Sequence, residues 1–462
     1  MIAVLSLSFS PAMAQEYVVS LLPPVAANPG VLTLAELEGL ALSKNPTIPA
    51  AAALVTQQQG LLRQATLYPN PTAGYLRTDA DQPGQTLQNG AFFSQEFVTA
   101  GKIRLAREAG RYDVEHSEWQ LRAQNARVVN DVRIRFYELL GAQEAIAATD
   151  ELEKLASNGV AIAKRLLDAR LGLKPDVLQA EIQLSVVKTL VEDARLREKT
   201  ARKQLAHVVG ISELPNEPAA GQLEDAIPAL DFEQQLGKAL TSSPLLQAQD
   251  ALIQSVQWEL KLARAQAIPN VNVQVVAQRD SVQKYSTVST LVSLPLPVFN
   301  RNQGNIQNME GQLRQQQNER VRLELAIRDQ LATAFRHYQS LRSHADRLGR
   351  DILPRAKENL DLTTKAYEVG QFDFPRVLAA RQTYFQTKLA HIDALTELHK
   401  IAVEIDGMLL TGGLNPTEVG TALQGQAGAG STGIRGILFQ QLQEQRNGAS
   451  RNLPGAVQAG ER

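Results

Sequence analysis

The sequence predicts a mainly α-helical protein with a small β portion, built from one helix-strand-strand-long helix-helix unit used twice. Three observations predict it. The chain repeats itself at a fixed shift of 198 residues. Each copy carries an almost proline-free helical stretch of roughly sixty to seventy residues. Short strands separated by turn residues stand between the first helix and the long one.

The repeat is visible without gaps. "ALSKNPTIPAAAALVTQQQGLLRQATLYPNP" falls on "ALTSSPLLQAQDALIQSVQWELKLARAQAIP", with ten identities in 31 positions, among them Pro46/Pro244 and Pro71/Pro269. The same shift carries Gly172 onto Gly370. Two unrelated Ala-rich helices would not share one Pro-to-Pro spacing. The organisation follows: a first repeat over 32–214, an inter-repeat linker over 215–228 and a second repeat over 229–412.

Each repeat opens with a helix that has proline in its first turn, Pro46 to about Leu67 in the first copy. Pro69 and Pro71 end it, because proline has no N–H to continue the ladder. Strands are expected at about 72–78 and 87–98, around the loop "DADQPGQT", and again at about 271–279 and 284–298. "VNVQVVAQR" puts Val271, Val273, Val275 and Ala277 on one face and Asn272, Gln274 and Gln278 on the other.

The long helices come next, from about Lys102 to Leu171 and from Ile306 to Tyr367. At about 1.5 Å per residue, seventy residues span roughly 100 Å. Trp119, Ala123, Ala126, Val129, Val132, Phe136 and Leu139 recur at three- and four-residue steps, a seam suited to coiled-coil packing. Pro354 is expected to kink or break the second long helix. Each ends at a glycine, Gly172 near the first C-cap and Gly370 near the second, before a short tip and a returning helix. The elbows between strand and long helix contain Gly101 in the first copy. In the second they contain Pro295, Pro297, Asn300 and Gly304, with the prolines where ladder pairing ends and the helix starting at Ile306.

The termini differ in character. Residues 1–14 read as a signal peptide, with Ala12-Met13-Ala14 as the cleavage pattern and a truncated n-region that lacks positive charge. An extension follows over 15–31. Residues 413–462 form a Gly-, Ala- and Gln-rich tail, expected to be largely flexible apart from "GILFQQLQEQ", which suits a small docked helix.

Composition excludes several functions. Lys plus Arg is 47 against 48 Asp plus Glu, so no basic excess points to nucleic acid. With no cysteine there is no disulfide, thiolate site, Cys nucleophile or lipid-modified Cys anchor. No apolar run beyond the N-terminus is long enough for a membrane helix, so a membrane passage has to be a closed β-barrel. His116, His207, His337, His344, His391 and His399 form no ligand pattern; His337 and His344 are one heptad apart. No nucleotide, catalytic or metal motif occurs, so no catalytic residue, cofactor or metal is expected and energy has to come from a partner.

The order of elements, the duplication, "YPNPTAGY", "FFSQEFVTAGKIRL", "PLPVFNRNQGNI" and the two "G…VL.A" tips resemble the TolC-like outer-membrane efflux factors. The similarity runs from about Leu32 to Leu414, and the "PLPVFNRNQGNI" elbow is most like the cation-efflux (CzcC-type) branch of RND systems. The resemblance implies a trimeric, 12-stranded outer-membrane β-barrel, four strands per chain, continued by a periplasmic α-helical barrel. This resolves a difficulty, since four strands cannot close a barrel and lipid permits no open edge.

It further implies a homotrimer among outer-membrane lipids, most of its mass in the periplasm, with a periplasmic adaptor (membrane fusion) protein and an inner-membrane RND pump as partners. The expected function is a passive exit duct, gated at the tips, for heavy-metal cations. A drug-efflux duct and a periplasmic adaptor or other coiled-coil interaction protein are the alternatives. By the resemblance, Gly172, Asp176, Val177 and Leu178 lie at one adaptor-facing tip and Gly370, Val377 and Leu378 at the other. TolC-type gate aspartates fall on Arg376 and Ala379, which leaves Asp176 and Asp373 as nearby acidic gate candidates beside Arg376. A helix N-terminus favours Asp176 on its own account.

Overall fold

The computed structural model describes residues 30–78, 88–170, 172–224, 227, 229–281 and 284–415. The expectations for the signal peptide, nearly all of the N-terminal extension, the "DADQPGQT" loop and the tail beyond Asn415 lie outside those residues.

The described chain runs α1 (Leu34–Lys44), α2 (Thr47–Ala65), β1 (Thr72–Thr78), β2 (Gln88–Phe97), α3 (Lys102–Asp168), α4 (Lys174–Val209), then α5 (Phe232–Ser242), α6 (Pro244–Ala265), β3 (Val271–Asp280), β4 (Ser286–Ser293), α7 (Gln303–Arg347), α8 (Leu353–Glu368) and α9 (Phe374–Asp406). The short helices α1 and α5 were not expected. A capping box starts α1, with Glu36 N–H donating to Thr33 Oγ1 and Thr33 N–H to Glu36 Oε2. Asp231 caps α5 by accepting from Gln234 N–H at 2.9 Å. Both helices have 11 residues, and their bounds differ by the shift of the repeat.

The strands form one antiparallel sheet in the order β1-β2-β3-β4. Phe93 lies opposite Val275 and Phe97 opposite Val271, on the same face as Ala73, Tyr75 and Val292. Thr72, Ser94, Gln274, Gln278 and Thr287 share the other face by alternation. One face is therefore mostly apolar and the other mostly hydroxyl and amide. The strand expected over 284–298 is shorter, because its ladder stops at Ser293. Pro295 and Pro297 have no N–H to offer a ladder, and both lie beyond it.

Below the sheet, α3 packs along α4, α6, α2 and α9. The largest core cluster sits mid-length, where Val128, Val132, Phe136 and Leu139 of α3 meet Leu205 of α4, Leu331 and Tyr338 of α7, and Leu398 and Ile405 of α9. Smaller clusters continue away from the sheet around Leu152, Leu360 and Tyr384, then around Val160, Val177 and Val377.

Buried polar groups tie the segment after α9 to this core. Gln124 Nε2 donates to Gly413 O at 2.7 Å and Asn130 Nδ2 to Leu410 O at 2.7 Å. Asp131 accepts the N–H groups of Gly412 and Gly413. The linker crosses the same level. Leu32 and Ala219 form a parallel bridge, and the Ala219 and Leu223 N–H groups donate to Gln143 and Glu144 of α3.

Pro354 breaks the second long helix in a specific way. Residues Leu348–Ile352 are π-helical, and Leu353 N–H reaches back to Leu348 O. Proline removes one donor from the ladder at this point, and the wider turn absorbs the mismatch. Gly349 sits against His391 of α9; a Cβ there would come within 2.7 Å of Nε2. Burial lowers the His391 pKa, with Glu224 and Glu144 opposing.

Candidate functional site: a conduit with two elbows and two tips

The elbows turn the chain from sheet to helix through left-handed backbone. In the first, Ala100 and Gly101 have φ of 55° and 64°, and α3 begins at the next residue. In the second the left-handed residue is Asn302, φ 61°, and α7 begins at Gln303. The expected helix start at Ile306 is thus three residues late. Gly304 lies inside the first turn with open space around its Cβ position, so it is not what makes the bend. Sequence reasoning missed Asn302. Asparagine is a residue that tolerates αL, and that was the available signal.

Asn302 is also tied down, since its Nδ2 donates to Ala263 O at 2.7 Å and to Gln266 Oε1 at 3.0 Å. Asn300 Oδ1 accepts from Asn302 N–H at 3.0 Å, an Asx turn that shapes the elbow. Pro297 O accepts from Arg301 Nε, and Phe299 O from Gln303 Nε2. Leu296, Val298 and Phe299 around the prolines are exposed, Phe299 at 91%.

The first elbow is stitched at its base to the connection between α6 and β3. Thr99 Oγ1 donates to Pro269 O at 2.6 Å, and Lys102 Nζ donates to Ile268 O at 2.5 Å and Asn270 Oδ1 at 2.6 Å. Asn270 Nδ2 donates to Glu96 Oε1 at 2.6 Å. Partial burial lowers the Lys102 pKa, and the Glu96 charge opposes that shift.

Further along, α3 and α6 hold a pair of acids. Ser255 Oγ donates to Asp113 Oδ1 at 2.5 Å, and His116 Nδ1 lies 2.7 Å from Ala248 O. Burial raises the Asp113 pKa. It pushes Glu259 up to about 8, helped by Asp113, so Glu259 carries its proton at neutral pH. Nearer the tips, Lys388 of α9 pairs with Glu151 of α3. One side chain there has no such match. Arg381 is 7% exposed, its Nε has no hydrogen bond among the described residues, and burial lowers its pKa. Its guanidinium lies over Gly159, where a Cβ would come within 3.1 Å.

The tips come together as one small core. Val177 and Val377 are both buried and share a cluster with Val160, Tyr367 and Phe374. Tyr367 and Phe374 have ring centroids 5.7 Å apart. Leu178 is exposed and Leu378 half-buried. Gly370 takes the left-handed position after α8, φ 74°. The first tip differs, for Arg170 takes that conformation, φ 61°. Gly172 is needed for close approach instead; it donates to Leu166 O at 3.0 Å, and a Cβ would meet the Leu166 Cβ at 3.0 Å.

Asp176 sits in the first turn of α4 and accepts from Leu173 N–H at 3.4 Å, the geometry of a helix-start acid. Asp373 precedes α9 and pairs with Arg376 at 3.5 Å, both largely exposed. Arg376 also lies over the Phe372 ring at 4.9 Å. Among the described residues no three His, Cys, Asp or Glu side chains are grouped to hold a metal, and no helix is long and apolar enough to cross a membrane.

The chain is similar to three known proteins. The chain is 27% identical over 395 residues, 85% of its length and 92% of the relative's, to the cobalt-zinc-cadmium resistance protein CzcC of Cupriavidus metallidurans. Its fold is similar to that of the outer-membrane channel OprN, with a TM-score of 0.69 at 20% identity over 83% of this chain and 91% of that one. It is also similar to the outer membrane protein VceC of Vibrio cholerae, with a TM-score of 0.65 at 17% identity over 83% of this chain and 97% of that one. The family model for outer membrane efflux proteins matches residues 37–211 and 236–409, one span in each repeat, so the chain belongs to the outer membrane efflux protein family.

Proposed function

We propose that the chain is the exit duct of a tripartite efflux system. Three copies close a twelve-stranded barrel in the outer membrane, and their long helices form a periplasmic tunnel. The sheet carries this reading. It has two open edges, β1 and β4, one mostly apolar face and one polar face, and it leads into a helix of 67 residues. A lone sheet of this kind leaves both edges unpaired in lipid, whereas edge-to-edge closure between copies satisfies them.

In this reading the duct is passive. An adaptor docks at the tips on Gly172, Asp176, Leu178, Gly370 and Leu378, with Val177 and Val377 buried in the core beneath them, and an inner-membrane RND pump supplies energy. The gate lies at the tips, where Asp176, Asp373 and Arg376 are the charged candidates. The cargo is a heavy-metal cation. Support for that class is the likeness to a protein named for cobalt, zinc and cadmium resistance. The adaptor reading does not fit membership of the efflux-duct family.

The test is deletion of the gene in a cell with no second duct. Export of cobalt, zinc and cadmium should fail while pump activity in inner-membrane vesicles survives. Sensitivity to drugs instead of metals identifies a drug duct. Export that persists unchanged removes the proposal. Native mass spectrometry of the detergent-extracted protein should give a trimer.

A further inference from the structure

A cleft of about 950 Å³ opens where the sheet meets the helices. Glu96, Asn272 and Ser293 form part of its lining, and they are register partners in one row across β2, β3 and β4. That row belongs to the polar face of the sheet, opposite the Phe97–Val271 pair and Val273. In a barrel whose apolar face meets lipid, the polar face lines the water-filled interior. The cleft is thus part of the conduit wall at the base of the barrel, a placement that rests on the duct reading above.

Its wall is mostly neutral. Most of its polar lining is amide, Asn270, Asn300, Asn302 and Asn305 among it, beside apolar residues such as Leu67 and Ile103, and among the described lining residues the only charged groups are Glu96 and Lys102. These two stand on either side of one amide. Asn270 gives its Nδ2 hydrogen to Glu96 at 2.6 Å and takes a Lys102 hydrogen on Oδ1 at 2.6 Å. The opposite charges fix which way the Asn270 amide points. Each chain therefore contributes one carboxylate and one ammonium to this level of the wall, close together and with no net charge.

We infer that Lys102 and Glu96 are the residues that set charge selectivity at the barrel base, with Lys102 cancelling a carboxylate that would otherwise favour cations. The physical reason is that a ring of like charges in a narrow aqueous passage raises the local concentration of the opposite ion. With the two charges balanced, the passage takes hydrated ions of either sign. Discrimination of cargo then falls to the pump or to the tips. The same pair, through Asn270, joins β2, the start of β3 and the start of α3, so the neutral lining is held by the joint that makes the elbow.

The measurement is ion permeability of the purified full-length protein in planar bilayers under a potassium chloride gradient. Lys102→Met should raise the potassium-to-chloride permeability ratio by roughly two- to five-fold near 0.1 M salt, and the change should shrink toward 1 M as screening tightens. Glu96→Gln should move the ratio the opposite way. The double variant should return to the native value. Should Lys102→Met not assemble, Glu96→Gln alone still decides, because loss of the carboxylate has to favour chloride. Conductance with an unchanged ratio in the variants that assemble overturns the inference while leaving the duct intact. A native protein that forms no conducting channel counts against the duct itself.

Discussion

Two side chains, the half-buried Glu259 and the buried Arg381, carry predictions of opposite kinds. Glu259 has an ordinary pKa near 4.5 when unfolded and about 8 in the fold. Between these values the folded protein holds a proton that the unfolded chain releases, so this group makes stability fall as pH rises, with no further loss above about pH 8. Glu259→Gln removes that slope. Thermal melts should show the variant gaining on the native protein from pH 5 to pH 8, by on the order of 2 kcal/mol at pH 7. Arg381 is a charge without an acidic partner among the described residues, and such burial costs more than a methionine in the same space. Arg381→Met should raise the melting temperature by a few degrees, roughly 1–3 kcal/mol. A fall would mean that another copy supplies a carboxylate to Arg381. Neither residue was legible in advance. Both lie on helices whose pattern announces burial, but a pattern does not reveal whether an opposing acid or glycine is there. The tips show the same limit. Sequence marked Gly172 and Gly370 alike, yet only Gly370 takes positive φ, while Gly172 answers to the crowding of Leu166.

At the level of elements, the second elbow depends on one asparagine. Asn302 contributes both a left-handed backbone and a hydrogen bond to Ala263 O. Substitution separates the two. Asn302→Gly keeps the backbone freedom and loses the bond, whereas Asn302→Ala loses the bond and adds roughly 1 kcal/mol of strain. Melting temperatures should therefore rank native, then Gly, then Ala; Ala equal to or above Gly would refute the backbone argument. The strands, the long helices and the returning helices were legible because their periods are long and their prolines well placed. The short helices α1 and α5 were not, although Thr33 with Glu36 spells a capping box. Eleven residues next to a proline-led helix give too little periodicity to stand out. Pro354 announced a break, but not its form. Whether a proline bends a helix or widens one turn depends on what packs beside it, here Gly349 under His391.

For the whole molecule, the repeat foretold the symmetry better than the asymmetry. The shift of the repeat aligns α1 with α5 and α2 with α6, and the family model matches once in each half. The halves nonetheless differ where they do mechanical work. The first long helix runs unbroken from Lys102 to Asp168, while the second carries a π-helical interruption at Leu348–Ile352. The first elbow bends at Ala100 and Gly101, the second at Asn302 behind two prolines. A duct assembled from such chains has alternating stiff and interrupted staves around its wall. Tertiary closure was the least legible part of all, because a sheet with two free edges states only that something must pair with it.

Those free edges have a genetic reading. A chain with Thr290→Pro in β4 has one damaged edge and one sound edge, since β1 is untouched. It can still join a neighbour on the sound side and then leave the ring unsealed. Such an allele should be dominant: co-expressed with the native gene at equal levels, it leaves intact rings at roughly one in eight if three chains are needed. An allele that merely fails to fold would be recessive and leave half the dose. The steepness with which efflux falls as the mutant share rises would count the subunits inside a living cell, without purifying the protein.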